Sequence, residues 1–209
     1  MNKQLIIFDM DGTLINSGDV ITNTINYVRK NLGLDEIEKE LMLQELNNPD
    51  INSAEYFYGT SEFTDLQTKL FTEYYDENCV KDISLYDGIY DLLEYLKEEK
   101  YTLSVATNAS SDFAIKMLKS LDIYKFFSYV VGSNMVKNPK PKPDMLEKTL
   151  EKLNFKVGDS VLIGDSLKDT RSAKSIKMDY ILVNWGFTKY ENEISNINDL
   201  KKRLINKDN

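Results

Sequence analysis

The stretch Leu5-Ile6-Ile7-Phe8-Asp9-Met10-Asp11-Gly12-Thr13 decides how the rest of this 209-residue chain is read. Four apolar residues ending at turn formers read as a short buried strand, so the two carboxylates emerge at its carboxyl end, where open α/β sheets place their ligands. Asp9 and Asp11 then sit close together facing one site. Like charges so placed repel unless something neutralises them, and the usual agents are a divalent cation or a nearby lysine. Taken alone, Asp-x-Asp-Gly-Thr also reads as a plain turn, and calcium loops look similar.

Further along, apolar runs repeat the pattern. Tyr101 to Ala106 ends in Thr107-Asn108, and Phe127 to Val131 leads through a loop to Lys140-Pro141-Lys142-Pro143-Asp144. Ser160 to Ile163 ends in Gly164-Asp165-Ser166-Leu167-Lys168-Asp169. Between them lie helical spacings: Ile89, Leu92, Leu93 and Leu96; Phe113, Met117, Leu118 and Leu121; Met145, Thr149, Leu150 and Leu153. Strands alternating with helices predict βαβ units and an α/β fold with a parallel sheet, whose carboxyl ends share one edge. Clusters far apart in sequence can therefore meet in one crevice. Singly, each has a plainer account. Thr107-Asn108 can cap a helix starting near Ser110, Lys140 to Pro143 can be a rigid solvated loop, and Gly164-Asp165-Ser166 can be another helix start. Taken together and in order, they predict one active site.

Residues 16 to 82 break the βαβ rhythm. Ile21, Ile25, Val28 and Leu32, then Ile37, Leu41 and Leu46, then Phe63, Leu66, Leu70, Phe71 and Tyr74 are helically spaced. The division expected is a core of residues 1–15 and 83–209 around a helical insert of 16–82, with hinges near Asn16-Ser17 and Lys81 to Ser84. Tyr56-Phe57-Tyr58 either lines a pocket or, as the favoured reading, packs between helices. Arg29 is a candidate for gripping a substrate anion, although beside Lys30 it also reads as a solvated residue.

Composition removes several classes of chemistry. The chain has no histidine, which excludes Ser-His-Asp hydrolysis, phosphohistidine intermediates and His-ligated zinc or iron. Acid and base work falls to carboxylates or lysine. Neither Gly-x-x-x-x-Gly-Lys nor Gly-x-Gly-x-x-Gly occurs. A net charge of −8, with Arg29, Arg171 and Arg203 the arginines, argues against nucleic acid as a partner. The single cysteine, Cys79, has no intramolecular partner and reads as packing; position 85, where a cysteine phosphatase needs an arginine, holds Leu85. No apolar run reaches membrane-span length, and Met1-Asn2-Lys3-Gln4 leads straight into the first strand, so a cytoplasmic protein without a membrane partner is expected. The lysine-rich tail after Leu200 reads as a fraying helix. A monomer is the default.

The ordered motifs, over residues 3–16 and 84–186, resemble the haloacid dehalogenase-like superfamily, and within it the phosphatases of the phosphoglycolate phosphatase and β-phosphoglucomutase type. The resemblance implies a Rossmann-like sheet core flanked by helices, with a small all-helical cap inserted after the first strand. It implies that Asp9 is the nucleophile, Asp11 the acid/base, Thr107 the phosphate-binding hydroxyl, and Asp165 with Asp169 the metal-site acids. In the family's Lys-Pro-x-Pro pattern the first lysine is functional, which selects Lys140 over Lys142 and Lys137. Departures restrict the reading. Asp11 is absent from haloacid dehalogenases proper, so phosphoryl transfer is expected rather than carbon–halogen cleavage. The cap histidine of β-phosphoglucomutase-like members has no counterpart here. A cap lysine acting as a Schiff base, as in phosphonate-cleaving relatives, stays formally open through Lys30 and Lys39.

The chemistry follows from these residue types. Phosphoryl transfer rests on positioning and on stabilising charge over the phosphoryl oxygens. A carboxylate nucleophile such as Asp9 splits one hard displacement into two through an aspartyl-phosphate, and Asp11 can give and then take the proton. Mg²⁺, a hard cation, suits Asp9, the backbone carbonyl of Asp11 and Asp165. Lys140 supplies a fixed positive charge, and Thr107, Asn108 and the backbone around Gly12 complete a phosphate cradle. Thr13, Ser166 and Asp169 stand behind, with Asp169 orienting Lys140 and metal-bound water. The expectation is a Mg²⁺-dependent phosphatase acting on a small-molecule phosphate ester. A sugar-phosphate mutase is the alternative enzyme, and a non-catalytic phosphate-binding regulatory protein on the same fold is the alternative of another class.

Overall fold

A computed structural model describes residues 3–191 and 193–205. The chain runs through β1 (Leu5–Phe8) and β2 (Ile15–Asn16), then α1 (Gly18–Asn31), α2 (Lys39–Leu46), α3 (Ser53–Tyr58) and α4 (Asp65–Asn78). After β3 (Ser84–Leu85) come α5 (Ile89–Glu98), β4 (Thr102–Ala106), α6 (Ser111–Ser120), β5 (Tyr129–Val131) and α7 (Asp144–Leu153). The chain closes with β6 (Ser160–Gly164), α8 (Leu167–Ser175), β7 (Asp179–Leu182) and α9 (Ile197–Ile205).

Five strands form one parallel sheet in the order β5-β4-β1-β6-β7. All four residues of β1 are fully buried, as a central strand covered on both faces requires. Alternate side chains feed two cores. Ile6 and Phe8 pack with Leu92, Leu93 and Leu96 of α5, Met117 of α6 and Leu200 of α9. Leu5 and Ile7 pack on the other face with Met145 and Leu150 of α7 and Ala173 of α8. The strand order reverses at β1, which puts the crevice for ligands at the carboxyl end of that strand.

Differences from the sequence reading are local. Tyr101 precedes β4, and Phe127 closes a 3-10 turn (Tyr124–Phe126) rather than opening β5; its ring meets Phe8 edge-on, 6.4 Å between centroids. The edge strand β7 was not expected, because exposed Asp179 and half-buried Tyr180 break its apolar pattern. α9 continues through Ile205 with Leu200 and Leu204 buried, so the chain after Leu200 stays helical as far as it is described. Met1, Asn2 and the last four residues of the tail lie outside the described residues.

Between β2 and β3 the chain is helical. Ile25, Val28, Met42, Phe57 and Tyr58 form its own small core. Phe57 and Tyr58 are buried while Tyr56 is exposed, so the aromatic run is mostly packing. α3 is a separate short helix capped by Asn52, whose side chain accepts from the Ala54 and Glu55 N–H groups, and ended by Gly59 at φ +70°. A capping box between Thr64 and Gln67 starts α4, leaving Phe63 outside it. The chain leaves and returns side by side, since Asn16 pairs with Ser84 and Ile15 with Leu85 in an antiparallel ladder. Among the described residues, no helix is long and apolar enough to cross a membrane.

Candidate active site

The turn after β1 sets the site. The Asp9 N–H donates to the Ile163 carbonyl at 2.8 Å, locking the strand end to β6, and the Met10 carbonyl accepts from the N–H groups of Leu14 and Ile15. That fold of the backbone carries Gly12 at φ +82°, and a Cβ there would land on the Asp165 carboxylate. Gly12 thus makes room for an acid from β6, a duty distinct from the phosphate contact expected of it.

Lys140 comes from the loop before α7 and is 4% exposed, whereas Lys137 and Lys142 are exposed. Its Nζ donates to Asp9 Oδ1 and to Asp169 Oδ1, both at 2.6 Å. The other Asp169 oxygen accepts from the Ser166 hydroxyl at 2.5 Å and its N–H at 3.2 Å, in a capping box that starts α8. Helix capping and site construction are here the same contacts. A Cβ at Gly164 would collide with Asp169, so that close packing also needs a glycine. The Thr13 hydroxyl donates to Asp9 Oδ2 at 3.2 Å.

Asp165, 1% exposed, is lopsided. Its Oδ2 accepts from the Phe187 N–H at 2.9 Å and from the Asn47 side-chain amide at 3.0 Å, while buried Oδ1 has no partner among the described residues. Oxygens of Asp9, Asp165 and Asp169 lie within 4.8 Å of one another. Asp11 stands outside that group. Its carboxylate accepts from the Ser17 hydroxyl at 2.5 Å and, at the limit of hydrogen bonding, from Thr107 at 3.5 Å. Thr107 Oγ1 in turn accepts from the Ala109 N–H at 3.1 Å. The Asn108 side chain, expected at the phosphate, donates to the Lys140 carbonyl at 2.8 Å and so braces the lysine's backbone.

Electrostatics tests whether a cation fits. Three buried carboxylates face one buried ammonium, so full ionisation leaves this group with a net charge of −2. Uncompensated buried charge is costly. Accordingly, burial pushes Asp9 well up from the ordinary carboxylate range, helped by repulsion from Asp169 and Asp165 and opposed by Lys140. Burial and the Asp169 charge push Asp165 up to about 7, and burial also raises Asp11 against the opposing pull of Ser17, Lys140 and Thr107. Burial works against the charge on Lys140, but Asp169 and Asp9 outweigh it and hold the ammonium firmly protonated. An all-oxygen set two positive charges short, with one buried oxygen lacking a partner, suits a hard divalent cation such as Mg²⁺.

Four contributors escaped the sequence reading: Ser17, Asn47, Gly186 and Phe187. Gly186 packs so closely that a Cβ would strike Asp165 and the Gly12 carbonyl. Its place between Trp185 and Phe187, just past the β7 end, was the available signal. Asn47 lies in an Asn-Asn-Pro-Asp turn whose composition is that of any turn. Arg29, the candidate anion grip, donates Nε to the Asp35 carbonyl at 2.6 Å and Nη1 to the Phe57 carbonyl, which ties it inside the helical region.

Parallel sheet, strand-end acids and buried lysine together describe an α/β protein whose candidate site is built on carboxylates and one lysine. Residues 6–183 match the family described as haloacid dehalogenase-like hydrolase, and the chain belongs to that family. It is 28% identical over 208 residues to a phosphoglycolate phosphatase of Aquifex aeolicus, covering 97% of each chain. It is 29% identical over 171 residues to the pyrophosphatase PpaX of Listeria innocua, covering 81% of this chain and 78% of that one. The crystal structure of a predicted phosphatase from Clostridium acetobutylicum superposes with a TM-score of 0.87 at 27% identity, covering 98% and 99% of the two chains.

Proposed function

We propose that this protein is a Mg²⁺-dependent phosphatase that hydrolyses a small-molecule phosphate monoester through an aspartyl-phosphate on Asp9. The carrying observation is the buried charge group: Lys140 spans Asp9 and Asp169 at 2.6 Å each, and the cluster remains two positive charges short. The phosphoglycolate phosphatase at 28% identity supports a monoester substrate, and the pyrophosphatase at 29% supports phosphoryl hydrolysis more broadly.

Asp9, Asp165 and the Asp11 carbonyl would hold Mg²⁺, which when bound supplies positive charge to offset the acids and the phosphoryl oxygens. Asp9 attacks phosphorus and the bond to the ester oxygen breaks. Asp11, kept protonated more readily by its burial, gives its proton to that leaving oxygen. Asp11 then takes a proton from water, whose oxygen attacks phosphorus; the bond to Asp9 breaks, freeing phosphate and restoring the carboxylate. Lys140, held charged by Asp169 and backed by Asn108, lets the anionic substrate approach Asp9. Thr107 and the backbone around Gly12 donate to phosphate oxygens. Thr13, Ser166 and Asp169 fix the orientation of Asp9 and Lys140. In this reading residues 1–15 and 83–209 are the catalytic core and 16–82 a cap. The paired β2 and β3 strands form the stem on which the cap closes to exclude water.

p-Nitrophenyl phosphate tests the reading. Hydrolysis should require Mg²⁺, stop with EDTA, resume on Mg²⁺ addition, and vanish in Asp9→Asn with the circular dichroism spectrum unchanged. Turnover retained by Asp9→Asn, or turnover without metal, overturns it.

A further inference from the structure

The helical region touches the acid cluster through the turn that follows α2. Three contacts hold that turn on α8. Lys168 Nζ donates to the Leu46 carbonyl at 2.6 Å, and both Nη atoms of Arg171 meet the two oxygens of Asp50, at 2.6 and 2.7 Å. Between them, Asn47 Nδ2 donates to Asp165 Oδ2 at 3.0 Å. Leu46 ends α2, so its carbonyl carries the negative end of the helix dipole and is a natural seat for an ammonium. The Arg171–Asp50 pair is a two-pronged fork, which fixes orientation as well as contact.

The consequence falls on Asp165. A carboxylate held by one donor can swing about that bond, whereas two donors on the same oxygen pin its plane. Phe187 N–H supplies the first and Asn47 the second, and the other oxygen is left buried and without a partner among the described residues. One oxygen saturated by neutral donors and one reserved is the arrangement of an oriented metal ligand.

We propose that Asn47 is a positioning residue for Asp165, and that docking of the Leu46–Asp50 turn and binding of a divalent cation are coupled, each strengthening the other. This rests on the reading that a divalent cation belongs at Asp9 and Asp165. Because Asn47 reaches Asp165 only while the turn is docked, cation affinity senses docking, and thermodynamic reciprocity makes docking sense the cation. The turn therefore presents the helical region to the site as a device that readies the metal ligand when the crevice closes.

Mn²⁺ binding to the full chain, followed by electron paramagnetic resonance, tests this without reference to turnover. Loss of a group that orients a ligand typically weakens metal binding about 10- to 100-fold, and Asn47→Ala should fall in that range. Arg171→Ala, which touches neither the acids nor Asn47, should weaken Mn²⁺ binding by a smaller factor through loss of docking. Amide exchange across residues 46–50 should slow when Mn²⁺ is added to the unmodified protein and respond less in Asn47→Ala. Wild-type protein that binds no Mn²⁺ overturns the underlying metal assignment. Tight wild-type binding with Asn47→Ala within twofold of it overturns the positioning role alone. Arg171→Ala binding as tightly as wild type, with exchange at 46–50 indifferent to Mn²⁺, overturns the coupling.

Discussion

The two walls of the crevice are built on opposite principles. On the sheet side, Asp9, Lys140, Asp165 and Asp169 are all under a tenth exposed, Lys140 ties Asp9 to Asp169 by charge, and the four come from strand ends, the loops beyond them and the first turn of α8. On the helical side the charged candidate, Arg29, is spent on backbone carbonyls, and the interior is Ile25, Val28, Met42 and Phe57. Buried charge makes the first wall a place where single substitutions change chemistry. Apolar packing makes the second a place where they change stability, and it reaches the acids through the Leu46–Asp50 turn and through Ser17.

The largest effect should come from Lys140→Met. The buried carboxylates would lose the ammonium that bridges Asp9 and Asp169, so kcat should fall by at least about 10²-fold and the metal-free fold should weaken by about 3–5 kcal/mol. Phe57→Ala removes a ring 2% exposed in the small helical core and should cost a similar ~3–5 kcal/mol. Denaturant melts would match while kinetics diverge, because kcat per folded molecule should stay within about tenfold for Phe57→Ala. Equal losses of kcat in the two variants would erase the contrast between the walls.

A smaller effect sharpens the same contrast through pH. In the metal-free protein Asp165 sits at about 7, above its ordinary 3.8, because of burial and Asp169. A carboxylate raised in the folded state contributes stability in full below the unfolded value, and that contribution is lost as pH rises through about 7. A divalent cation takes the ionised form. The rise in Tm produced by Mg²⁺ should therefore be greater at pH 8 than at pH 6, and the difference should shrink in Asp165→Asn. No such pH dependence is expected of Phe57→Ala relative to wild type. An equal Mg²⁺ shift at both pH values would remove Asp165 from the cation site.

The sheet wall was legible in the sequence because its grammar is local. Leu5–Phe8 followed by Asp9, Ala106 by Thr107 and Gly164 by Asp165 are apolar runs ending in polar groups, and a parallel sheet forces such ends together. Lys140 was selected from three nearby lysines through the resemblance, and it is the buried one. Helical spacing likewise announced α1, α2 and α4, but not the short α3 or the half-exposed β7. Asn47 and Phe187 could not be read, since their value lies in which distant carboxylate they reach, and neither residue type nor spacing encodes that. Asn108 is expected at the phosphate, and its amide donates to the Lys140 carbonyl: an amide can donate to a carbonyl as readily as to a phosphate, and the sequence does not distinguish them.

The smallest effect should come from Ser17, at the start of the helical region, whose hydroxyl donates to Asp11 Oδ1 at 2.5 Å. Burial raises Asp11, and this hydrogen bond to the ionised form is the largest influence pulling it back. Ser17→Ala removes that pull, so Asp11 should ionise at higher pH, and the acid-side limb of the kcat profile, set by Asp11 as the base in hydrolysis of the aspartyl-phosphate, should move upward. At alkaline pH the variant should approach wild-type kcat. The loss at neutral pH should be smaller than the roughly 10²- to 10⁴-fold expected when the acid/base group itself is deleted in Asp11→Asn. The double variant decides whether the hydroxyl acts through Asp11. Residues acting as one unit are non-additive, so Ser17→Ala in an Asp11→Asn background should change little and shift no limb. A limb that moves equally in both backgrounds would mean that Ser17 acts on some other group, and that the helical wall reaches the chemistry by a route besides Asp11.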